Sequence, residues 1–266
     1  MAQVHASAVV EPGAKLGEAA RIGPYCLVGP EVELADGVVL HSHVVVTGRT
    51  RVGPRTEIYP FASIGHPPQD LKYRGERSEL AIGADNRIRE HVTINPGTEG
   101  GGMLTSVGDR CLLMVGAHVA HDCRLGDGVI MANNATLGGH VVVGDQAIIG
   151  GLSAVHQFVR IGRNAMIGGM SGVEHDVIPF GLVLGDRAHL NGLNIVGLKR
   201  NGFARGEIQS LQQAYKAIFT GAGTIAERLE ALKSEAGTAG AVDELVSFAL
   251  AESSRALCQP KSDDGR

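Results

Sequence analysis

Residues 124–151 read RLGDGVIMANNATLGGHVVVGDQAIIGG, and within them Leu125, Met131, Leu137, Val143 and Ile149 recur at every sixth position. Four places after a beat stands a small or β-branched residue, as at Val129, Ala135, Val141 and Ala147. Two residues in each six therefore face inward. A period of six matches neither the 3.6 of a helix nor a long alternating strand, but it suits short strand segments that each end in a corner. Three segments close a coil of eighteen residues. Stacked coils then pair as parallel strands roughly 4.8 Å apart, each burying the apolar face of the next.

The beat extends outward in both directions. It begins at Val4 and runs through Val10, Leu16, Ile22, Val28, Leu34, Leu40, Val46, Val52, Ile58 and Ile64. It breaks at HPPQDLKYRGERSEL, residues 66–80, returns at Ile82, Ile88 and Ile94, and pauses at GGGMLTS, residues 100–106. From Val107 it continues through Leu113 and Val119, then past the opening stretch to Val155, Ile161, Ile167 and Val173. Three places after the beat, about half the repeats carry Gly, Asn, Asp or His, as at Gly37, His91, Gly97, Asp122, Asn134, His140 and Asp176. These types tolerate a left-handed backbone best, which predicts such a residue at each corner. With 38 glycines, no tryptophan and 4% aromatic residues, the core has to be built by repetition of small aliphatic side chains. Cys26, Cys111 and Cys123 sit at the small inward place, so packing is expected of them rather than reactivity.

Past Pro179 the beat is gone. ARGEIQSLQQAYKAIF, TIAERLEALKSE and AVDELVSFALAES carry helical apolar spacing, with GAG and GTAG between them, which predicts about three helices. The final QPKSDDGR reads as a frayed tail. The chain is thus expected to hold stacked β-coils over 1–190 and a small α-helical domain over 191–266. Its formal net charge of −4, with no local basic patch, gives no reason to expect a nucleic-acid partner. The N-terminus has no charged head followed by an apolar core, and no run of apolar residues is long enough to span a bilayer. No stable membrane insertion is expected, and a cytoplasmic location is.

A coil of eighteen turns spacing into adjacency. His121, Gly139 and Gln157 should fall in one column, and Asp122, His140 and Phe158 in the next, while His118, just before the inward Val119, faces out from a flat strand. GAHVAHDC, LGGH and VHQF so converge on one edge. An imidazole, a neighbouring carboxylate and a glycine N–H together make an acyl-transfer constellation. Blander readings stand beside it: Asp122 and His140 as corner residues, His118 and His121 as solvated or interface histidines, His156 as polar packing at an interface. His118, His121 and His140 also offer three imidazoles to a metal, as in the trimeric hexapeptide-repeat carbonic anhydrases, although the spacing departs from that family's pattern.

The motifs IGHPPQDLKY, IRE, AHVAHDC, MANNATLGGH, IIGGLSAVHQF and NIVGLKRNGF resemble those of the UDP-N-acetylglucosamine O-acyltransferases, the hexapeptide-repeat enzymes that begin lipid A biosynthesis. The likeness spans nearly the whole chain. It implies a left-handed parallel β-helix assembled as a homotrimer, with active sites between subunits. The implied reaction moves an (R)-3-hydroxyacyl group from acyl carrier protein to the glucosamine 3-hydroxyl of UDP-N-acetylglucosamine, with no metal or other cofactor. By this resemblance the general base falls on His121, the carboxylate that orients it on Asp122, and the oxyanion donor on the Gly139 N–H. Asp70 and Lys72 would contact the sugar or the pantetheine-linked donor, and His118, His140 and Gln157 would line the sugar and acyl pocket. Asn194 and Arg200 would hold the nucleotide and its phosphates, and Gly169 would limit acyl length. The chain departs from the family's better-known members at Arg187, Val196 and Asn201, where they carry His, Glu and Arg, and at Asn95 and Pro96, which replace a His-Arg pair. These departures bear on whether the acceptor carries a 3-hydroxyl or a 3-amino group. The alternatives are another hexapeptide acyltransferase, such as the pathway's later N-acyltransferase, and a non-catalytic β-helical assembly subunit. The N-acyltransferase carries an additional N-terminal domain, for which a beat starting at Val4 leaves no room. Arg160, Arg163, Lys199, Arg200 and Arg205 are candidate docking charges for an acidic carrier protein.

Overall fold

The computed structural model describes residues 1–234 and 240–261. Strands of mostly two residues stack into three sheets of eleven, nine and eight strands, one on each face of a triangular prism. The first sheet opens with Gln3–Val4, the second with Val9–Val10 and the third with Lys15–Leu16. Outside the interruptions, and as far as Val173, the pairing is parallel at a separation of eighteen. His118 lies beside Thr136 and Val119 beside Leu137, and the next coil sets Ala154 and Val155 against those two. The second residue of each strand supplies the core, as with Leu113, Val119, Met131, Leu137 and Ile149, and the inward corner residues Ala117, Cys123, Ala135 and Ala147 are buried with them. All four cysteines are buried and unpaired. Burial pushes the thiol of Cys111 up to about 11 and that of Cys123 up to about 12, so neither supplies a thiolate near neutrality.

The corners are left-handed, but residue type does not select them. His43, Asp85, His91, Asp122, Asn134, His140 and Asn164 adopt positive φ, and so do Tyr25, Arg55, Phe61, Gln146, Leu152 and Phe158. Packing between coils imposes the conformation whatever the side chain, at a cost of about 1–2 kcal/mol for a residue with a Cβ. Gly97 and Asp176 were expected at left-handed corners and are not there. At Gly97 the chain has left the coil for its second excursion. Asp176 is wholly buried and accepts hydrogen bonds from the Arg160 backbone N–H and guanidinium.

Both excursions leave from one edge, between the second and third sheets. Second-sheet strands Ser63–Ile64 and Thr93–Ile94 are followed by residues 65–78 and 95–103 before third-sheet strands Glu79–Ile82 and Leu104–Val107 resume the coil. The ladder is unbroken behind them, because Arg49–Val52, Glu79–Ile82 and Leu104–Val107 pair in register. The inserted chain therefore lies on the outside of one edge and leaves the core untouched.

Gly181–Leu184 adds to the first sheet, and His189–Leu193 turns back antiparallel to it, running across the expected 190/191 boundary. A short helix α1 (Ile195–Arg200), absent from the sequence expectation, precedes α2 (Arg205–Thr220), α3 (Ile225–Ser234) and α4 (Ala241–Leu250), which correspond to the three expected helices. Residues 237–239 of the GTAG separator, and the tail beyond Lys261, lie outside the described residues. Buried Phe180 stands where the prism meets the helical part and packs edge-on against Phe203. The closing segment returns to the coils through a bridge between Asp176 and Leu257. Among the described residues, no helix is long and apolar enough to cross a membrane.

Candidate active site

The edge from which both excursions depart carries Asp122, whose side chain is fully buried. A carboxylate removed from water needs hydrogen bonds to each oxygen, and the second excursion provides them. The Thr98 N–H donates to Oδ1 at 2.9 Å and the Thr98 hydroxyl to Oδ2 at 2.6 Å. The Asp122 backbone N–H is held by Thr105 Oγ1 at 2.7 Å. Gly101 makes room for the group, since a Cβ there would overlap the carboxylate.

His121 Nδ1 meets Asp122 Oδ2 at 2.8 Å. A carboxylate that already receives a hydroxyl proton can only accept here, so Nδ1 carries the proton and Nε2 keeps its lone pair. The His121 side chain is itself 10% exposed. Gly139 covers it from the next coil: the His140 N–H donates to the His121 carbonyl at 3.0 Å, and a Cβ on Gly139 would stand 2.6 Å from Nε2. Only a glycine fits there. Among the described residues the Gly139 N–H finds no acceptor. A lone-pair nitrogen and an uncommitted amide thus share one small space, an arrangement able to take a proton from a hydroxyl and stabilise charge developing on a carbonyl oxygen.

Burial favours the uncharged imidazoles of His140 and His118. His140 lies edge-on to His121 with ring centres 5.0 Å apart and stacks on Phe158 at 4.3 Å. Burial lowers its pKa first of all; the Asp122 and Asp70 carboxylates act against this, and His121 and Lys72 with it. Asp70 and Lys72, carried by the first excursion, therefore reach the field of the same edge. His118 bonds Thr93 Oγ1 through Nδ1 at 2.6 Å, and burial is again the main cause lowering its pKa. Gln157 follows Gly139 in the column and is exposed, packing beside Gly138.

The remaining expected residues lie elsewhere in the protomer. Gly169 is exposed beside Gly151 on the edge between the first and second sheets. Asn194 has both ends of its amide engaged: Oδ1 caps α1 by accepting from the Gly197 N–H at 2.9 Å, and Nδ2 donates to the Asn164 carbonyl at 3.0 Å. Arg200 is exposed in the last turn of α1. Among the departing positions, Asn201 Nδ2 bonds Asn164 Oδ1, Arg187 pairs with Glu174 at 3.1 Å, and Asn95 Nδ2 bonds the His66 carbonyl at 3.0 Å, anchoring the root of the first excursion. Two expected docking charges are spoken for. Arg160 is tied to Asp176 at 2.7 Å and Arg163 to Glu244 at 2.6 Å, which fastens coil to helix and leaves neither free for a partner.

Donor atoms of His121, Asp122 and His140 lie within 4.8 Å of one another, the one such cluster found among the described residues. A cation there would have to displace the protons that His121 Nδ1 and the Thr98 hydroxyl give to Asp122 Oδ2. Both Asp122 oxygens are thus already engaged by Thr98 and His121.

Residues 176–258 match the family model described as Udp N-acetylglucosamine O-acyltransferase, Domain 2, and residues 13–48 and 105–139 match the bacterial transferase hexapeptide model. A Rhizobium johnstonii protein named acyl-acyl-carrier-protein:UDP-N-acetylglucosamine O-acyltransferase is 48% identical over 259 residues, covering 97% of this chain and 95% of its own. This chain belongs to the UDP-N-acetylglucosamine O-acyltransferase family. A Paracoccus denitrificans member of the same name is 55% identical over 203 residues, 76% of this chain and 77% of that one. A solved UDP-N-acetylglucosamine acyltransferase superposes with a TM-score of 0.94 at 44% identity, covering 98% of this chain and all 100% of the other. The Acinetobacter baumannii structure gives 0.92 at 43%, covering 96% and 99%. The fold is accordingly the family's left-handed parallel β-helix with a small C-terminal helical part.

Thr98, Thr105 and Gly101 complete the site and were not singled out by sequence. The available signal was that GTEGGGM breaks the beat immediately before the AHDC coil, which places a loop where a buried aspartate needs donors.

Proposed function

We propose that the chain transfers an (R)-3-hydroxyacyl group from acyl carrier protein to the glucosamine 3-hydroxyl of UDP-N-acetylglucosamine, the first step of lipid A biosynthesis. The observation that carries this reading is the alignment of Asp122, His121 and Gly139 across two coils. His121 Nε2 takes the 3-hydroxyl proton as that oxygen attacks the thioester carbonyl. The carbonyl oxygen becomes negative and is met by the Gly139 N–H. When the tetrahedral species collapses, the carbon–sulfur bond breaks and the imidazolium returns its proton to the departing thiolate. Asp122 fixes the tautomer and faces the imidazolium while it exists. His118, His140 and Gln157 line the sugar and acyl groups, Asp70 and Lys72 close over them, Asn194 and Arg200 serve the nucleotide, and Gly169 leaves room for the acyl tail. Asn194 then acts from within its cap, through the shape it gives the start of α1.

The working form is a homotrimer in the cytoplasm. Outward residues of the third sheet, including Lys15, Glu33, Arg51, Glu79 and Arg124, are charged and suit water. The first sheet presents Leu112, Ile130, Ile148 and Met166. Along the edge shared by the first and second sheets, Tyr25, Phe61, Leu152 and Met170 are 64%, 54%, 63% and 73% exposed, an apolar row that further copies would cover.

Incubating the protein with UDP-N-acetylglucosamine and 3-hydroxyacyl carrier protein, alongside His121→Ala, tests the reading. Acylated sugar nucleotide from wild type, and at least a hundredfold less from a variant of unchanged oligomeric state, is expected. Equal rates would remove His121 from its role, and no product from wild type would refute the activity.

A further inference from the structure

Arg255 enters the active edge from the far end of the chain. The segment that carries it is pinned to the coils: the Asp176 N–H donates to the Ala256 carbonyl at 2.9 Å and the Cys258 N–H to the Asp176 carbonyl at 2.7 Å. From there Arg255 Nε donates to the Gln157 carbonyl at 3.0 Å, and Nη2 lies 2.6 Å from His156 Nδ1. A guanidinium has five N–H donors and no acceptor. His156 Nδ1 also lies 3.4 Å from the Gln157 carbonyl, but that oxygen already accepts from Arg255 Nε, and the shorter 2.6 Å contact has Nδ1 present its lone pair to Arg255 and places the ring proton on Nε2. One side chain thereby sets both the tautomer of His156 and the place of the peptide that carries Gln157.

His156 stands in line with Gly138 and Ala120 on the two preceding coils. Its neighbour Gln157 follows Gly139 and His121 in the adjacent column, about 10 Å along the prism from the proton acceptor at two coil spacings. His156 is exposed. Glu174, at the same place one coil further on, is engaged by Arg187 at 3.1 Å.

We propose that Arg255 is a positioning residue for acyl transfer, holding His156 as an Nε2–H donor aimed at a hydrogen-bond acceptor oxygen of bound substrate. That oxygen belongs either to the nucleotide sugar or to the acyl donor. The role in turnover rests on the acyl-transfer reading; the tautomer of His156 does not.

The two parts are tested separately. In protein labelled with ¹⁵N-histidine, with His156 assigned by its loss in His156→Asn, ring nitrogen shifts at pH 7.5 should report an Nε2–H tautomer in wild type and a mixture in Arg255→Met. Steady-state kinetics with each substrate varied in turn should show the KM of one substrate raised at least fivefold in Arg255→Met with kcat within twofold. A rise for the sugar nucleotide assigns the oxygen to the acceptor, and a rise for the acyl carrier protein thioester assigns it to the donor. Arg255→Lys, which keeps the charge but can meet only one of the two partners, should fall between. An Nδ1–H tautomer in wild type, which needs no variant to fold, overturns the proposal, and so do both KM values unchanged in Arg255→Met. Failure of the wild type to transfer acyl groups with the Nε2–H tautomer present overturns the role in turnover while leaving the orientation of His156 standing.

Discussion

The side chain of Asp122 is fully buried, and the proton position on His121 depends on it. Asp122→Asn keeps the volume and removes the charge, and the amide can turn an N–H toward Nδ1, forcing the imidazole into the wrong tautomer. Initial rates should fall by about 10²–10⁴-fold through kcat, with KM values within a few-fold of wild type. The neighbouring imidazoles give a second expectation. His118 and His140 titrate lower in the folded chain than the ordinary histidine value, chiefly through burial, so the unfolded chain binds their protons first. As pH falls below about 6.5 stability should decline, and above that value their contribution is fully present. Urea midpoints measured at pH 7.5 and 5.5 should show the drop, and His118→Gln should lessen it. The His121, Asp122 and Gly139 grouping was readable in the sequence because its members are adjacent or eighteen apart. Thr98 is 24 residues from Asp122, across the second break, and Arg255 is 98 from Gln157. Neither spacing belongs to the period, so no count along the chain could have paired them.

An individual coil is held by very little besides its neighbours. Each two-residue strand bonds the coil before and the coil after, and each corner accepts whatever conformation the stack demands. The six-residue beat made this plain in the sequence, including the core identity of Met131. Residue chemistry at the corners was a poorer guide, because Phe61, Leu152 and Gln146 take a left-handed backbone that their side chains disfavour. Gln146 is exposed at such a corner with φ 58°. Gln146→Asn should therefore raise stability by about 0.5–1 kcal/mol, read as a higher urea midpoint with an unchanged slope. Helix α1 escaped the pattern for a different reason. Six residues are too few to establish a helical period, and its start is defined by the Asn194 cap rather than by an apolar stripe.

Over the whole molecule, charge is divided between holding the fold and meeting a partner. The net charge of −4 repels an acidic carrier protein at long range, so capture falls to local cations. With Arg160 and Arg163 committed to Asp176 and Glu244, exposed Lys199 and Arg205 at α1 and the start of α2 remain as the candidates for it, Arg200 being assigned to the nucleotide. Replacing Lys199 and Arg205 by Ala should raise the KM for the acyl carrier protein thioester several-fold and flatten the loss of kcat/KM with added salt, with turnover at saturation little changed. The ladder runs unbroken behind the two excursions. The prism lengthens only in whole steps: eighteen extra residues spliced in ahead of Val28, below both excursions, would add one storey of about 4.8 Å and leave the chemistry as it is. A single residue lost between Asp122 and Gly139 would swing every later side chain to the wrong face and part the base from its amide. Variation in chain length is thereby confined to entire storeys or to the two outside loops, which can be rebuilt without the core registering the change.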